Sequence, residues 1–141
     1  MWIRCHDFHL SGYEVRQFGG EIVLHLKRVD EESHIRFSGV ELYHFVHTGG
    51  AIIFSIDEVP ISRILDQFWE RILHWAEQYG GVPHWDRDDR STYQAKLEAV
   101  GYKAWDISSS IGFAGFVIAQ SIADATGQDD ARTGIGLSAV A

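Results

Sequence analysis

The chain has a single cysteine, Cys5, among 141 residues. No disulfide can form within it, and such sparse cysteine fits a reducing compartment. Long apolar runs are missing as well. The longest, 111–119, falls well short of the roughly 18–20 residues of a membrane-spanning helix. Charge enters early, at Arg4 and Asp7, and no apolar stretch follows, which speaks against a secretory leader. These features lead to the expectation of a cytoplasmic protein with no membrane partner. Positive charge is scarce: 12 Lys and Arg face 20 Asp and Glu, a net charge of −8. Nucleic acid and anionic membranes are bound by cations that neutralise phosphates. The charge balance argues against both and suits a basic protein partner. No internal repeat and no lipidation signal are found.

Apolar and aromatic residues are plentiful, at 45% and 13% of the chain. That supports a packed core and excludes wholesale disorder. The length predicts one domain. Residues 123–141 are rich in Ala, Gly, Asp and Thr and have no aromatic, so the expected division is a domain over 1–122 and a C-terminal tail over 123–141.

Two Gly-Gly pairs sit between alternating segments. Gly19-Gly20 predicts a two-residue hairpin turn, placing Gln17 opposite Ile22, Val15 opposite Leu24 and Tyr13 opposite Leu26. Gly49-Gly50 predicts a second hairpin, with His47 opposite Ile52, Phe45 opposite Phe54 and Tyr43 opposite Ile56. Ser38-Gly39 marks a bulge or break before it. Tyr13, Val15, Leu24, Leu26, Phe45, Phe54 and Ile56 would then share one buried face of an antiparallel sheet.

Pro60 to Tyr79 carries Ile61, Ile64, Leu65, Phe68, Ile72, Trp75, Ala76 and Tyr79 at helical spacing. It reads as a long amphipathic helix laid over that face, capped near Asp57 and stopped by Gly80-Gly81. Ser91 opens a second, short helix, with Gln94 placed for a capping box and Gly101 ending it. Lys103 to Ser110 reads as a strand. Two readings compete for 113–125: a returning strand that pairs Ile107 with Phe116 and Trp105 with Ile118, or a helix. The β-propensity of Phe116-Val117-Ile118 favours the strand. The fold class is therefore α+β: an antiparallel sheet built from hairpins, one face covered by a long helix, with a second short helix and a C-terminal hairpin.

Chemistry is thinly marked. Eight histidines invite a metal reading through His6, His9, His44 and His47. Zinc wants three or four converging ligands, and on a strand His44 and His47 point to opposite faces. Hydrogen-bonded surface histidines account for the count better, so no metal and no cofactor are expected. Cys5, His6 and Asp7 are adjacent and poorly placed for a thiol triad. Ser108-Ser109-Ser110 lacks a nucleophile elbow. Gly112 and Gly115 lack the Lys-Ser/Thr of a phosphate loop, and Asp57-Glu58 fits a helix start. No catalytic residue is assigned. The loop from His84 to Arg90 offers Trp85 with Asp86, Asp88 and Asp89 as the candidate partner-binding residues, an aromatic anchor among steering carboxylates. A solvated connection whose Trp folds back on the core competes with this.

Three stretches carry a resemblance: His6-Asp7-Phe8-His9-Leu10, Phe37-Ser38-Gly39-Val40 through Asp57-Glu58-Val59, and Ser108-Ser109-Ser110-Ile111-Gly112 through Ala119. Together they resemble small uncharacterised bacterial proteins over residues 6–119. The opening His6-Asp7 also resembles the start of immunity proteins of bacterial toxin systems. The resemblance implies a bacterial, cytoplasmic, non-enzymatic protein and transfers no catalytic residue. The leading expectation is a protein-binding domain, such as an immunity-type inhibitor masking a basic toxin or enzyme. A small enzyme or ligand-binding domain using the histidine-bearing sheet face, and a homo-oligomer joined through a strand edge, are the alternatives.

Overall fold

A computed structural model describes residues 8–80 and 89–125. The fold is α+β. Among the described residues four strands form one antiparallel sheet: β1 (Phe8–Arg16), β2 (Glu21–Arg28), β3 (Glu31–Val59) and β4 (Lys103–Asp124). Two helices, α1 (Ile61–Tyr79) and α2 (Arg90–Val100), lie between β3 and β4 in sequence. Among the described residues no helix is long and apolar enough to cross a membrane.

The first hairpin forms, with a different turn. Tyr13 faces Leu24, Glu14 faces Val23, Val15 faces Ile22 and Arg16 faces Glu21. The connection is four residues, not two. Gln17–Gly19 make a turn of 3₁₀ helix, and the Gly20 N–H donates to the Gln17 carbonyl at 3.0 Å. Gln17 and Phe18 both take left-handed backbone angles, with φ of 54° and 56°. The register therefore slips by two residues. An even slip leaves each side chain on its expected face.

The second hairpin does not form. β3 runs through Gly49-Gly50 as one bent strand, and both of its halves pair with β4, from Ile35 opposite Asp124 to Val59 opposite Ala104. The glycines serve a wide irregularity between His47 and Ile52, where β3 carries extra residues against β4. The C-terminal hairpin is absent for the same reason. Ile107 faces Ile56, Trp105 faces Glu58, Phe116 faces His44 and Ile118 faces Leu42. Residues 113–124 are strand, as the β-propensity suggests, and the helical reading fails. The Ser38-Gly39 site carries no register shift. The bulge falls two residues later, between Val40 and Leu42. Strand β4 runs to Asp124, and the Ala125 N–H donates to the His34 carbonyl at 2.7 Å. Ordered chain thus enters the segment read as tail, of which 126–141 lie outside the described residues.

The ribbon of β3 and β4 arches over the hairpin. β3 ascends beside β2, from Glu31 opposite Arg28 to Ser38 opposite Glu21. It crosses the hairpin tip where the Val40 N–H donates to the Gly20 carbonyl at 3.0 Å. It then descends along the far edge of β1, with Ile52 opposite His9 and Ile53 opposite Phe8. Such a path folds the sheet onto itself, and its concave side fills with its own side chains.

Two cores follow. The first holds Leu24, Leu26, Ile35, Phe37, Ile53, Ile56, Trp105 and Val117, all from strands. The second joins Ile61, Ile64, Leu65 and Ile72 of α1 and Tyr93 and Leu97 of α2 to Phe116 and Ile118 of β4. Leu24, Leu26 and Ile56 are thus buried away from α1, because the arched ribbon already covers their face. Tyr13 and Val15, expected in the core, are 37% and 43% exposed, and Phe45 is half-buried. The Phe54 side chain lies outside the described set. On α1, Phe68 and Trp75 are half-buried and Glu70 and Glu77 exposed.

Helix ends follow local chemistry. Pro60 precedes α1 without a side-chain cap, and Asp57 is instead engaged by the Ser55 hydroxyl at 2.8 Å. That bond draws the Asp57 carboxyl below its ordinary range. Gly80 (φ 94°) closes α1 and Gly101 (φ 95°) closes α2. Asp89, not Ser91, caps α2, while the Gln94 amide donates to Glu98. Arg90 makes an ion pair with Asp66 that ties α2 to α1.

Candidate interaction surface on the first hairpin

A one-residue irregularity controls what the hairpin exposes. In β1 the register shifts between Leu10, opposite Leu26, and Gly12, opposite His25. The extra residue, Ser11, donates its hydroxyl to the His25 carbonyl at 3.0 Å. A bulge of this kind swaps the strand's two faces. Beyond it Tyr13 and Val15 join the concave side opposite Leu24 and Ile22, at the rim of the first core. Tyr13 stands edge-on to Phe45 at 5.1 Å between centroids and 6.2 Å from His47. Phe45 in turn contacts Tyr43 and Phe113 at 5.2 and 5.0 Å. The rim is therefore an aromatic row that reaches solvent.

At the tip, Phe18 is wholly exposed. Its left-handed backbone points it away from both strands, and a bulky residue adopts φ near +56° only when the surrounding turn dictates it. Tyr13, Val15 and Phe18 form an exposed apolar stretch that runs from β1 into the turn. Among the described residues Phe8 and His9 of β1 pair with β3, and farther along Tyr13 packs against Phe45 and His47 of the same strand.

The convex side of the same hairpin is polar apart from Val23, which is buried opposite Glu14. His25 and His34 are cross-strand neighbours, with Nδ1 atoms 2.7 Å apart. His25 Nε2 lies 2.5 Å from Glu14 Oε2. For a neutral His25, Nε2–H donates to the carboxylate and Nδ1 accepts from His34 Nδ1–H, which makes one directed chain across three strands. Arg16 holds Glu14 from the other side at 2.9 Å, and that contact pushes the Glu14 carboxyl below its ordinary range. Arg16 and Arg36 both approach Glu21, at 3.9 and 3.8 Å.

The sequence-derived sites fare as follows. Trp85, Asp86 and Asp88 lie outside the described residues, as do Cys5, His6 and Asp7. Asp89 is described and is a helix cap. One carboxylate oxygen accepts the Ser91 and Thr92 N–H groups at 2.9 and 3.2 Å, and the other accepts the Thr92 hydroxyl at 2.7 Å. The Thr92 contacts draw its carboxyl below the ordinary range. The carboxylate stays exposed and charged while it caps the helix. Ser109 is also structural: its Oγ accepts the Phe113 N–H at 3.0 Å and donates to the Phe113 carbonyl at the crest of the arch.

His44 and His47 do point to opposite faces. His47 meets Tyr13 and Phe113, while His44 sits among Phe68, Trp75 and Phe116. His9 is exposed. Among the described residues no three His, Cys, Asp or Glu converge as metal ligands. Burial, reinforced by Arg71, pushes the His44 imidazole below its ordinary value. The unfolded chain then binds a proton that the folded chain resists, so stability falls as pH drops through about 6.5. His44→Phe is expected to flatten that slope, which thermal melts at about pH 7.5 and 5.5 would read. A slope identical in both proteins would remove His44 as its source.

No protein-family model matches this chain, and no curated protein matches it.

Proposed function

We propose that this chain is a non-enzymatic protein-binding domain that engages a basic partner through the first hairpin. The observation that carries this reading is the row Tyr13, Val15 and Phe18, exposed along the first hairpin and backed by the rim aromatics. Aromatic side chains offer large contact area for little entropy loss. The net charge of −8 steers a basic partner by long-range attraction. An immunity-type inhibitor that masks a toxin or enzyme is the specific form proposed, with Trp85, Asp86, Asp88 and Asp89 as the second candidate contact.

Capture from the source cell with wild type, Phe18→Ser and Trp85→Ala, followed by binding kinetics on the captured protein, tests it. Phe18→Ser is expected to weaken binding at least about tenfold, chiefly through faster dissociation. A partner bound equally well by Phe18→Ser and by Val15→Lys would remove the hairpin from the interface.

The Glu14–His25–His34 chain favours a second reading, a ligand-binding or catalytic use of the histidine-bearing face. Under it His34→Ala abolishes turnover or ligand binding. Under the first reading His34→Ala leaves partner binding intact.

A further inference from the structure

We infer that His25 and His34 form a two-nitrogen site for a divalent transition-metal ion of the imidazole-seeking kind, such as Zn²⁺, Ni²⁺ or Cu²⁺. The two residues stand directly opposite each other on β2 and β3, so the sheet fixes their separation. Their rings meet edge-on, at 75° and 4.9 Å between centroids, with Nδ1 facing Nδ1 at 2.7 Å. Each outer nitrogen looks toward a carboxylate: His25 Nε2 lies 2.5 Å from Glu14, and His34 Nε2 lies 3.8 Å from Glu32. A carboxylate only accepts, so it favours an N–H on the nitrogen before it, and a neutral imidazole carries one N–H. With both protons outside, two Nδ1 lone pairs confront each other inside, and a cation between them removes the conflict. The single directed chain of hydrogen bonds avoids it only by turning a bare His34 Nε2 toward Glu32.

The geometry suits a metal ion. Nitrogens bound at about 2.0–2.1 Å stand about 2.9 Å apart at a right angle and about 3.3 Å apart at the tetrahedral angle. The two Nδ1 atoms need to part by only about 0.2–0.6 Å to meet this, a small turn about χ2. Both rings are half-buried, held by their neighbours yet reachable from solvent. Metal-bound histidines commonly donate their other N–H to a carboxylate, which sets the tautomer and raises the basicity of the ligating nitrogen. Glu14 fills that role for His25, and Arg16 holds Glu14 in place at 2.9 Å. Imidazole nitrogens select zinc, copper and nickel over magnesium and calcium, which prefer oxygen. Among the described residues no third histidine, cysteine or carboxylate completes a metal-ligating group, so water fills the rest of the shell. The bound ion is therefore exchangeable, unlike that of a closed four-ligand structural site. The inference rests on the second functional reading, to which it gives a ligand class, and is independent of partner binding through Phe18.

Zinc titrated into the full chain, carrying no histidine tag, tests this by calorimetry and by NMR of the histidine rings. One ion per chain is expected to bind, and the ring signals of His25 and His34 are expected to move before those of the other histidines. Magnesium is expected to move neither. His25→Ala and His34→Ala are each expected to raise the zinc dissociation constant at least about tenfold, through loss of one of two protein ligands, while His9→Ala leaves it unchanged. Thermal melts check that each variant is folded. If a substitution unfolds the chain, the ring signals of the wild type decide the matter without it. An absence of zinc binding at the highest concentration the protein tolerates overturns the inference. So does zinc that moves other histidines while His25 and His34 stay still, binding that His9→Ala removes, or equal shifts with magnesium. A face that binds no zinc but whose turnover or other ligand is lost in His34→Ala refutes the metal and keeps the second reading. Failure to capture a protein partner leaves zinc binding untouched.

Discussion

Replacing Phe116 by alanine is expected to lower stability by about 3–5 kcal/mol, the usual range for truncating a fully buried aromatic. Phe116 has no exposed surface. Its ring packs against Phe68 of α1 at 4.7 Å between centroids and lies 6.3 Å from His44 across the ladder. It thus fastens the first helix to the β3–β4 ribbon. Truncation leaves a cavity between two elements, and neither can collapse onto the other without breaking strand pairing. Chemical denaturation would measure the loss. A change under about 1 kcal/mol would mean that the helix layer is held elsewhere.

The second large effect is expected at a residue with no side chain. Gly115 faces Phe45 across the ladder. A Cβ added there would stand 2.4 Å from the His44 carbonyl oxygen and 2.5 Å from Phe45 Cδ1. The oxygen is backbone and cannot rotate away, so Gly115→Ala forces β3 and β4 apart at the crest of the arch. Overpacking of this kind costs about 1–3 kcal/mol, with the upper end expected when backbone must move. Phe45→Ala/Gly115→Ala is the informative control. Removing the ring relieves one of the two contacts, so the double variant is expected to lose less than the sum of the singles. Strict additivity in denaturation would show that the ring clash is not the cause.

The helices were legible because their signals are local. Pro60, Gly80 and the three-four spacing bound α1 to within a residue, and Gly101 ended α2 where expected. The cap of α2 was misplaced by two residues because Asp89 and Ser91 are both competent caps and only geometry chooses. Strand pairing was harder. Gly49-Gly50 carries the same local signal as a hairpin turn, and an arch uses the same conformational freedom to bend one strand. Which strand lies beside Phe45 depends on Phe113 to Ala119, far along the chain, and no periodicity within 35–57 encodes that choice. The alternation still placed Leu24, Leu26 and Ile56 in the interior. The binding surface escaped for a related reason. Phe18 reads as an ordinary apolar strand residue until the turn proves to be four residues long, and Tyr13 and Val15 stay partly exposed because they sit at the rim of the concave side rather than in its centre.

The arched ribbon also sets the order in which the chain can assemble. The first residues of β3 pair with the last residues of β4, and the pairing then runs back toward the helices that join them. The β1–β2 hairpin and both helices need only near neighbours and can form early. The ribbon cannot zip until the final strand exists, and contacts between distant parts of a chain are slow to find. On the ribosome this protein holds an incomplete first core, with Phe37 and Ile56 lacking cover, until β4 has emerged. Folding is thus a late event, and the nascent chain is most exposed to aggregation and chaperone capture just before it.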